Sequence, residues 1–280
     1  MHAIQLGMTP AELRARTRQF AVDVVRFAKA IPRDHINAEI AAQLFISERT
    51  VEHHVEASLA KRDALVDFSL IPSAPLEAPR RLSGLEIVLE DLPEGFAVPS
   101  EGGQACARSG GRLACRIDRS AAPARGEPKR YLAPSLAAPS NLGQIRDLAR
   151  QIIRRSKGEE DSIRLLLQWI EANIAKEAID GFTAIDVLRE RRAECQGHAY
   201  LLAALARASG IPARIVNGIA YSEAHRGFLY HTWNELWIGG GWRPVDATFG
   251  QAHADATHLK LLEGEAAADL MPLAGLIGRI

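Results

Sequence analysis

The spacing of apolar residues predicts helices at both ends of the chain. Near the N-terminus, apolar side chains recur every three or four residues from Leu13 to Phe27, which is typical of one helix face. The stretch 141–190 has the same periodicity and predicts two or three amphipathic helices. A further apolar helix is predicted to begin near Cys195 and to end at Gly210, just before a proline.

The middle of the chain has a different pattern. Nine of the fourteen prolines fall between residues 69 and 140, a density that excludes long helices there. Within it, the segments 85–89 and 112–117 predict short strands. We therefore divide the chain into a helical part (1–68), a proline-rich β part (69–140) and an α+β part (141–280).

A hairpin is predicted near the C-terminus, where two apolar stretches flank the run Gly239–Gly241. If a four-residue loop pairs Trp237 with Trp242, then His231 and Asp246 lie on the same face as diagonal neighbours. A loop one residue shorter or longer would place them on opposite faces. The length of the turn therefore decides whether a histidine–carboxylate pair can form.

Composition and charge are those of an ordinary globular protein. The 280 residues include 34 Lys+Arg and 34 Asp+Glu, and 47% are hydrophobic. Zero net charge excludes a polybasic nucleic-acid or membrane-surface protein as a description of the whole chain. No apolar stretch approaches the ~18 residues of a spanning helix, and the N-terminus has no secretory signal pattern. We expect a cytoplasmic protein without a membrane partner.

Three cysteines are too few for a disulfide scaffold. Cys106 and Cys115 flank a Ser-Gly-Gly turn, and a four-residue loop would place them opposite each other. That pairing permits a disulfide, but in a reducing cytosol we expect free thiols. Cys195 lies at a predicted helix start, where unpaired N–H groups and the helix dipole favour a thiolate. A lone cysteine can also be an inert core residue.

Three motifs occur in the order of a known enzyme family. Cys195 is followed by a helix ending in Ala-Leu-Ala-Arg-Ala-Ser-Gly-Ile-Pro-Ala-Arg, then come His231-x-Trp-x-Glu and Gly-Trp-x-x-Val-Asp246-x-Thr. Over about residues 141–270 this resembles the transglutaminase-like superfamily of papain-like cysteine enzymes. The resemblance implies an α+β core with helices packed on an antiparallel sheet. One departure is Ala193, where the family often has glycine and where a positive φ would strain alanine.

The resemblance also implies a reaction. Cys195 would attack a carboxamide or peptide carbonyl, His231 would move the proton, and Asp246 would orient the imidazole. Water or an amine would then resolve the thioester, so the implied partner is a peptide or protein substrate. The backbone N–H of Cys195 is the expected oxyanion donor, and a second donor is not identified. No cofactor is implied, and an inactive scaffold with the same three residues is an alternative.

Other residues near the motifs are candidates for the substrate cleft. They are Trp233, Gln196, His198 and Glu235. The alternative interpretation of Trp233 is a wall or core residue, and that of His198 is a structural partner. Glu235, on the same strand face as His231, can equally bind an arginine or a backbone group.

The sequence predicts no metal site. His253, Asp255 and His258 have loose metal-ligand spacing, but a clear third ligand is lacking. No acidic loop of the EF-hand type is present, so calcium dependence is not expected.

The segment 37–61 suggests a second function. Its pattern Glu-Ile-Ala-Ala-Gln-Leu-Phe-Ile-Ser-Glu-Arg-Thr-Val-Glu-His-His-Val resembles the helix-turn-helix of LuxR-type response regulators. In such a motif the second helix would offer DNA four side chains: Arg49, Thr50, His53 and His54. However, residues 1–68 carry nine Lys+Arg against nine Asp+Glu, whereas DNA affinity depends on several basic contacts to phosphates. A helical packing or dimerisation module is therefore favoured over DNA binding.

Overall fold

The fold was obtained as a computed structural model, which describes residues 70–90, 95–177 and 183–274. The predictions for the N-terminal helical part, including Arg49, Thr50, His53 and His54, lie outside the described residues. Every described residue belongs to one compact unit, Phe68–Ile280. Within these ranges no helix has the length and apolar character needed to cross a membrane.

The secondary structure follows the predicted sequence of elements. Strands β1 (Gly84–Leu89), β2 (Gln104–Ser109) and β3 (Arg112–Asp118) come first, with short 3-10 turns at Pro79–Arg81 and Lys129–Leu132. Next are α1 (Gly143–Ile153), α2 (Glu159–Asn173), β4 (Ala175–Lys176), α3 (Ala184–Glu190), β5 (Arg192–Ala193) and α4 (Cys195–Ala208). The last elements are β6 (Ala213–Ser222), β7 (Gly227–Ile238), β8 (Gly241–Val245), β9 (Leu259–Glu263) and α5 (Ala267–Ala274).

The described part of the chain contains two antiparallel sheets and one short parallel pair, β4 with β5. The larger has the strand order β8-β7-β6-β9, and the smaller has the order β1-β3-β2. One core of buried apolar residues joins helices α1 to α4 to strands β6, β7 and β8. A second core joins β1 and β3 to β6, β7 and β9. Helices packed on an antiparallel sheet confirm the predicted α+β class.

The proline-rich part is attached to the larger sheet by backbone hydrogen bonds. Leu70 exchanges two with Phe228, and the amide of Trp242 donates to Ala124. Proline cannot donate a backbone hydrogen bond, which confines it to edges and turns. This part therefore lies along the sheet as a wrapping segment with a small sheet of its own.

Helix α4 begins in a tight place. Gly197 stands in its first turn, and a Cβ there would lie 2.7 Å from the Cβ of Ala193 and 2.9 Å from Cγ2 of Val187. The left-handed backbone position before the helix is Arg191, at φ 57°, while Ala193 has no positive φ. The strain considered for Ala193 is therefore absent, and helix α4 packs closely against α3 and β5.

The hairpin has the predicted register. Trp237 pairs with Trp242, and Ile238 pairs with Gly241. The turn itself contains two residues, Gly239 and Gly240, at φ 58° and 87°. Positive φ at both positions is characteristic of a tight type I′ turn and favours glycine there. The predicted four-residue loop therefore contains one additional strand pair, Ile238 with Gly241. This pair does not change which side chains lie on the same face of the hairpin.

The other predicted hairpin also has the expected pairing. Cys106 lies opposite Cys115 on β2 and β3. The expectation of free thiols is wrong here, because the two cysteines form a disulfide. With a Cα–Cα distance of 4.0 Å, the register itself brings the two sulfurs together. Cys195 is the remaining cysteine, and it is free.

We predict that Gly197→Ala destabilises the fold by about 1–3 kcal/mol, because the added methyl group has no space beside Ala193 and Val187. Chemical denaturation followed by circular dichroism measures the change. The matched control is Gly143→Ala at the start of α1, where an added Cβ meets nothing within 4 Å. Equal stability of the two variants would contradict the close packing of the helix start.

Candidate active site

Cys195 is the first residue of α4. The residue as a whole is partly exposed. The preceding residue, Glu194, makes no side-chain capping hydrogen bond. The first backbone N–H groups of a helix have no partner within the helix and give this end a partial positive charge. The sulfur therefore lies where a negative charge is stabilised, as the sequence predicted.

His231 on β7 contacts both other members of the candidate triad. Its Nε2 lies 2.8 Å from Oδ2 of Asp246, and the neighbouring Cys195 helps to raise the pKa of the ring. An ionised carboxylate only accepts, so Nε2–H must donate to Asp246. Nδ1 is then the ring nitrogen that is not bonded to Asp246. The structure thus brings the three predicted side chains together.

Asp246 is a fully buried charge with four hydrogen-bond donors. Its Oδ1 accepts the backbone N–H of Thr248 at 2.7 Å and of Phe249 at 3.2 Å. Its Oδ2 accepts from His231 at 2.8 Å and from His258 at 3.0 Å. Burial alone would raise the pKa of this carboxyl, but the two histidines outweigh burial and lower it well below its usual range. Asp246 is therefore ionised at any pH at which the protein works.

The protonation of His231 is set by these neighbours. Burial acts to lower the pKa of the ring, since it disfavours a charge. The adjacent Asp246 carboxylate and the Cys195 sulfur act in the opposite direction and raise the pKa to about 10. At neutral pH the ring is therefore an imidazolium, which is the partner that a thiolate requires.

Aromatic rings hold the imidazole of His231 in one plane. The Phe249 ring stacks on it at a centroid distance of 4.7 Å and an interplanar angle of 10°. The Trp233 ring is nearly parallel to it, at 6.1 Å and 19°. Because Trp233 is only 1% exposed, it is a wall behind the histidine and not part of an open substrate cleft.

The remaining cleft candidates have different environments. His198 is buried, and its Nδ1 lies 2.8 Å from the carbonyl oxygen of Glu194, so it supports the helix start and is not accessible to a substrate. Glu235 binds Arg214 at 2.6 Å and Lys260 at 2.9 Å, which is the alternative role foreseen for it. Gln196 is partly buried next to the nucleophile and donates to the hydroxyl of Tyr200. Of the four, Gln196 keeps the position of a cleft residue.

Sequence reasoning missed two tyrosines near the sulfur. Burial raises the pKa of Tyr200 and of Tyr230, and the charge of Cys195 adds to the shift in both. Both phenols are therefore neutral beside the nucleophile. Tyr230 directly precedes His231, which is the only signal in the sequence that could have pointed to it.

A second missed residue is His258, which the sequence suggested only as part of a loose metal pattern. That pattern is not assembled, because His253 is exposed while His258 points to Asp246. The nitrogens and oxygen of His231, Asp246 and His258 lie within 4.8 Å of one another, a set that could hold a metal ion. Direct hydrogen bonds of 2.8 and 3.0 Å already satisfy these atoms. We therefore interpret the cluster as hydrogen-bonded.

Two protein-family models match parts of this chain. Residues 146–247 match the family model of the transglutaminase-like superfamily, a range that contains Cys195, His231 and Asp246. Residues 29–63 match the model of bacterial regulatory proteins of the luxR family. Both resemblances predicted from the sequence are confirmed.

Individual relatives are distant. The kyphoscoliosis peptidase of Mus musculus is 25% identical over 130 residues, which is 41% of this chain and 20% of that protein. The human protein of the same name is 26% identical over 122 residues, or 39% and 18%. The match thus spans about a fifth of the length of these relatives. The periplasmic domain of TgpA from Pseudomonas aeruginosa, bound to ethylmercury, is 19% identical with a TM-score of 0.42, covering 64% of this chain and 78% of that one.

The raised pKa of His231 predicts a ring that stays doubly protonated at neutral pH and loses its charge only as the pH approaches about 10. Imidazole ¹⁵N chemical shifts, assigned with His231→Gln, measure the charge. Asp246→Asn should shift the titration to lower pH, because a neutral amide no longer stabilises the cation. A neutral ring at pH about 7 in the unmodified chain would contradict this assignment.

Proposed function

We propose that the chain is a cysteine-nucleophile enzyme that cleaves or transfers the acyl group of carboxamides or peptide bonds. The observation that carries the proposal is that His231 is hydrogen-bonded to Asp246 and that Cys195, at the start of α4, interacts with the same ring. A structural cysteine needs neither a charged imidazole nor a helix N-terminus. Here Cys195 has both, since it begins α4 and interacts with the charged ring of His231.

The reaction follows from the positions of these groups. The thiolate of Cys195 attacks the carbonyl carbon, and a tetrahedral intermediate forms with its oxyanion near the N-terminus of α4. The backbone N–H of Cys195 is positioned to donate to that oxygen. The imidazolium of His231 then gives its Nδ1 proton to the leaving amine, and the C–N bond breaks to leave a thioester.

The second half of the reaction uses the same residues in reverse order. The now neutral His231 accepts a proton from water or from an amine as that molecule attacks the thioester. Release of the acyl group restores the thiolate and the imidazolium. Asp246 keeps Nε2 protonated throughout, so that Nδ1 remains the nitrogen that exchanges the proton.

Hydrolysis is the favoured outcome, with a peptide or protein as the substrate. The curated relatives are named as peptidases, and this supports cleavage, although the match spans about a fifth of their length. Transfer to an amine uses the same thioester and is separated from hydrolysis by the test below. The chemistry of the three residues requires no cofactor.

We predict that Cys195→Ala lowers amide cleavage by at least about 10³-fold, because no other group supplies the nucleophile. Unfolded casein is the probe: new amino groups report hydrolysis, and a labelled primary amine reports transfer. His231→Gln should have a similar effect, and His225→Gln on an exposed turn is the control. Full activity of Cys195→Ala would contradict the role of this residue as the nucleophile. No reaction of the unmodified chain with casein, together with no rapid alkylation of its sulfur, would support an inactive scaffold.

A second candidate function is DNA binding by the N-terminal part. The match of residues 29–63 to the luxR family model favours it, and the balanced charge of residues 1–68 opposes it. The two functions are compatible in one chain, since they would use different segments.

We predict weak or absent DNA binding at moderate salt, because few phosphate contacts are available to a neutral segment. Fluorescence anisotropy with labelled duplex DNA at two salt concentrations measures it. The variant Arg49→Ala/Lys61→Ala removes two of the basic groups, and Arg155→Ala on the α+β part is the control. Micromolar, salt-sensitive affinity that the double variant abolishes would instead establish a DNA-binding regulator.

A further inference from the structure

The turn Asp255–His258 brings a second histidine to the carboxylate of the candidate triad. His258 is completely buried, and its Nε2 lies 3.0 Å from Oδ2 of Asp246. Its Nδ1 faces Asp255, at 3.2 Å from the backbone oxygen and 3.3 Å from Oδ1. Since ionised Asp246 only accepts, Nε2–H of His258 donates to it. One oxygen of Asp246 thus lies between two imidazole N–H groups.

Asp255 fixes the shape of this turn from inside. Its Oδ1 accepts two hydrogen bonds from Thr257, one from the backbone N–H at 2.8 Å and one from the side-chain hydroxyl at 2.5 Å. Its Oδ2 accepts from Gln251 at 2.8 Å and from Arg80 at 3.0 Å. Burial opposes ionisation, but the hydrogen bonds from His258, Thr257 and Gln251 lower the pKa of Asp255. The turn is therefore built around a second buried carboxylate.

The proline-rich part holds the same turn from outside. Arg119 donates to the carbonyl oxygens of Asp255 at 3.1 Å and of His258 at 2.8 Å. The amide of Ala256 donates to Leu82 at 2.8 Å. These contacts come from residues that precede the family match at 146–247. The position of His258 is thus determined by a part of the chain outside the matched domain.

Arg80 links this turn to the catalytic ring as well. Besides its bond to Asp255, its guanidinium lies 3.9 Å from the centre of the Phe249 ring. Phe249 in turn stacks on His231. The proline-rich part therefore contacts the site along two routes, one through the carboxylates and one through the aromatic stack.

We propose that His258 is a positioning residue, which keeps the Asp246 carboxylate in the orientation that directs His231 toward Cys195. The inference rests on the proposed function. Backbone N–H groups fix Oδ1 of Asp246, whereas Oδ2 has two donors among the described residues, His231 and His258. Without His258, the sole partner of Oδ2 would be the ring that it has to orient. A second, immobile donor removes that freedom.

The rate at which iodoacetamide alkylates Cys195 tests the proposal without a known substrate. The three variants are His258→Phe, which keeps the ring shape without the donor, His258→Gln, whose amide reaches the same oxygen, and His258→Asn, whose amide falls short. The control is His253→Phe, the same change at an exposed position of the same loop. Mass spectrometry of the Cys195 peptide gives the rate at about pH 6 and about pH 9.

At about pH 6 we expect His258→Phe and His258→Asn to react about 10- to 100-fold more slowly than the unmodified chain. The loss should be smaller at about pH 9, where a thiol ionises without an imidazolium. His258→Gln and the control should keep the original rate and pH profile. Should the phenylalanine variant not fold, the contrast between Gln and Asn decides the question.

The Asp246→Asn background separates positioning from general structural support. There, His258→Phe should change the alkylation rate less than about twofold, because its action passes through the lost carboxylate. Equal losses in both backgrounds, an unchanged rate in His258→Phe, or a rate that a chelator lowers and zinc restores would each overturn the proposal. A slow rate in the unmodified chain would instead contradict the proposed function.

Discussion

The buried carboxylate of Asp246 is the constraint on which the rest of the structure depends. An unpaired charge in a protein interior is very costly, so its position is acceptable only with enough donors around it. Four are present, two from its own turn and two from histidines of separate segments. The same donors that stabilise the charge also define the geometry of the candidate triad, since one of them is the ring of His231. A change to these donors is therefore expected to affect both the stability of the fold and the orientation of His231.

The register of one hairpin determines whether this arrangement exists. Gly239 and Gly240 both adopt positive φ, which closes a two-residue turn and pairs Trp237 with Trp242. Side chains alternate between the faces of a strand, so inserting or deleting one residue would turn Asp246 away from His231. Two glycines with no functional group of their own thus determine the face on which the carboxylate is placed.

Local patterns explain why much of the site was predictable from the sequence. The helix start at Cys195 and the length of the glycine turn each depend on neighbouring residues. The order of the three motifs predicted the roles of Cys195, His231 and Asp246. The burial of Trp233 and His198 depends on packing between distant segments, and spacing along the chain carries no information about it. His258 was missed for the same reason, because its partner is Asp246 and not the residues with which it shares a metal-like spacing. Free thiols were predicted for Cys106 and Cys115 because a reducing cytosol was assumed. The β2–β3 register, however, places the two cysteines opposite each other.

The matched family segment and the functional unit have different limits. The family match ends at residue 247, one position after Asp246, yet three of the four donors to that carboxylate come from Thr248, Phe249 and His258. The turn that carries His258 is held by Arg80 and Arg119 of the proline-rich part. Removing one segment of this network leaves a buried charge without its partner, because each buried charge is balanced by a group from another segment. The proline-rich part is thus a structural component of the site, and residues 146–247 alone would leave Asp246 without one of its two imidazole donors.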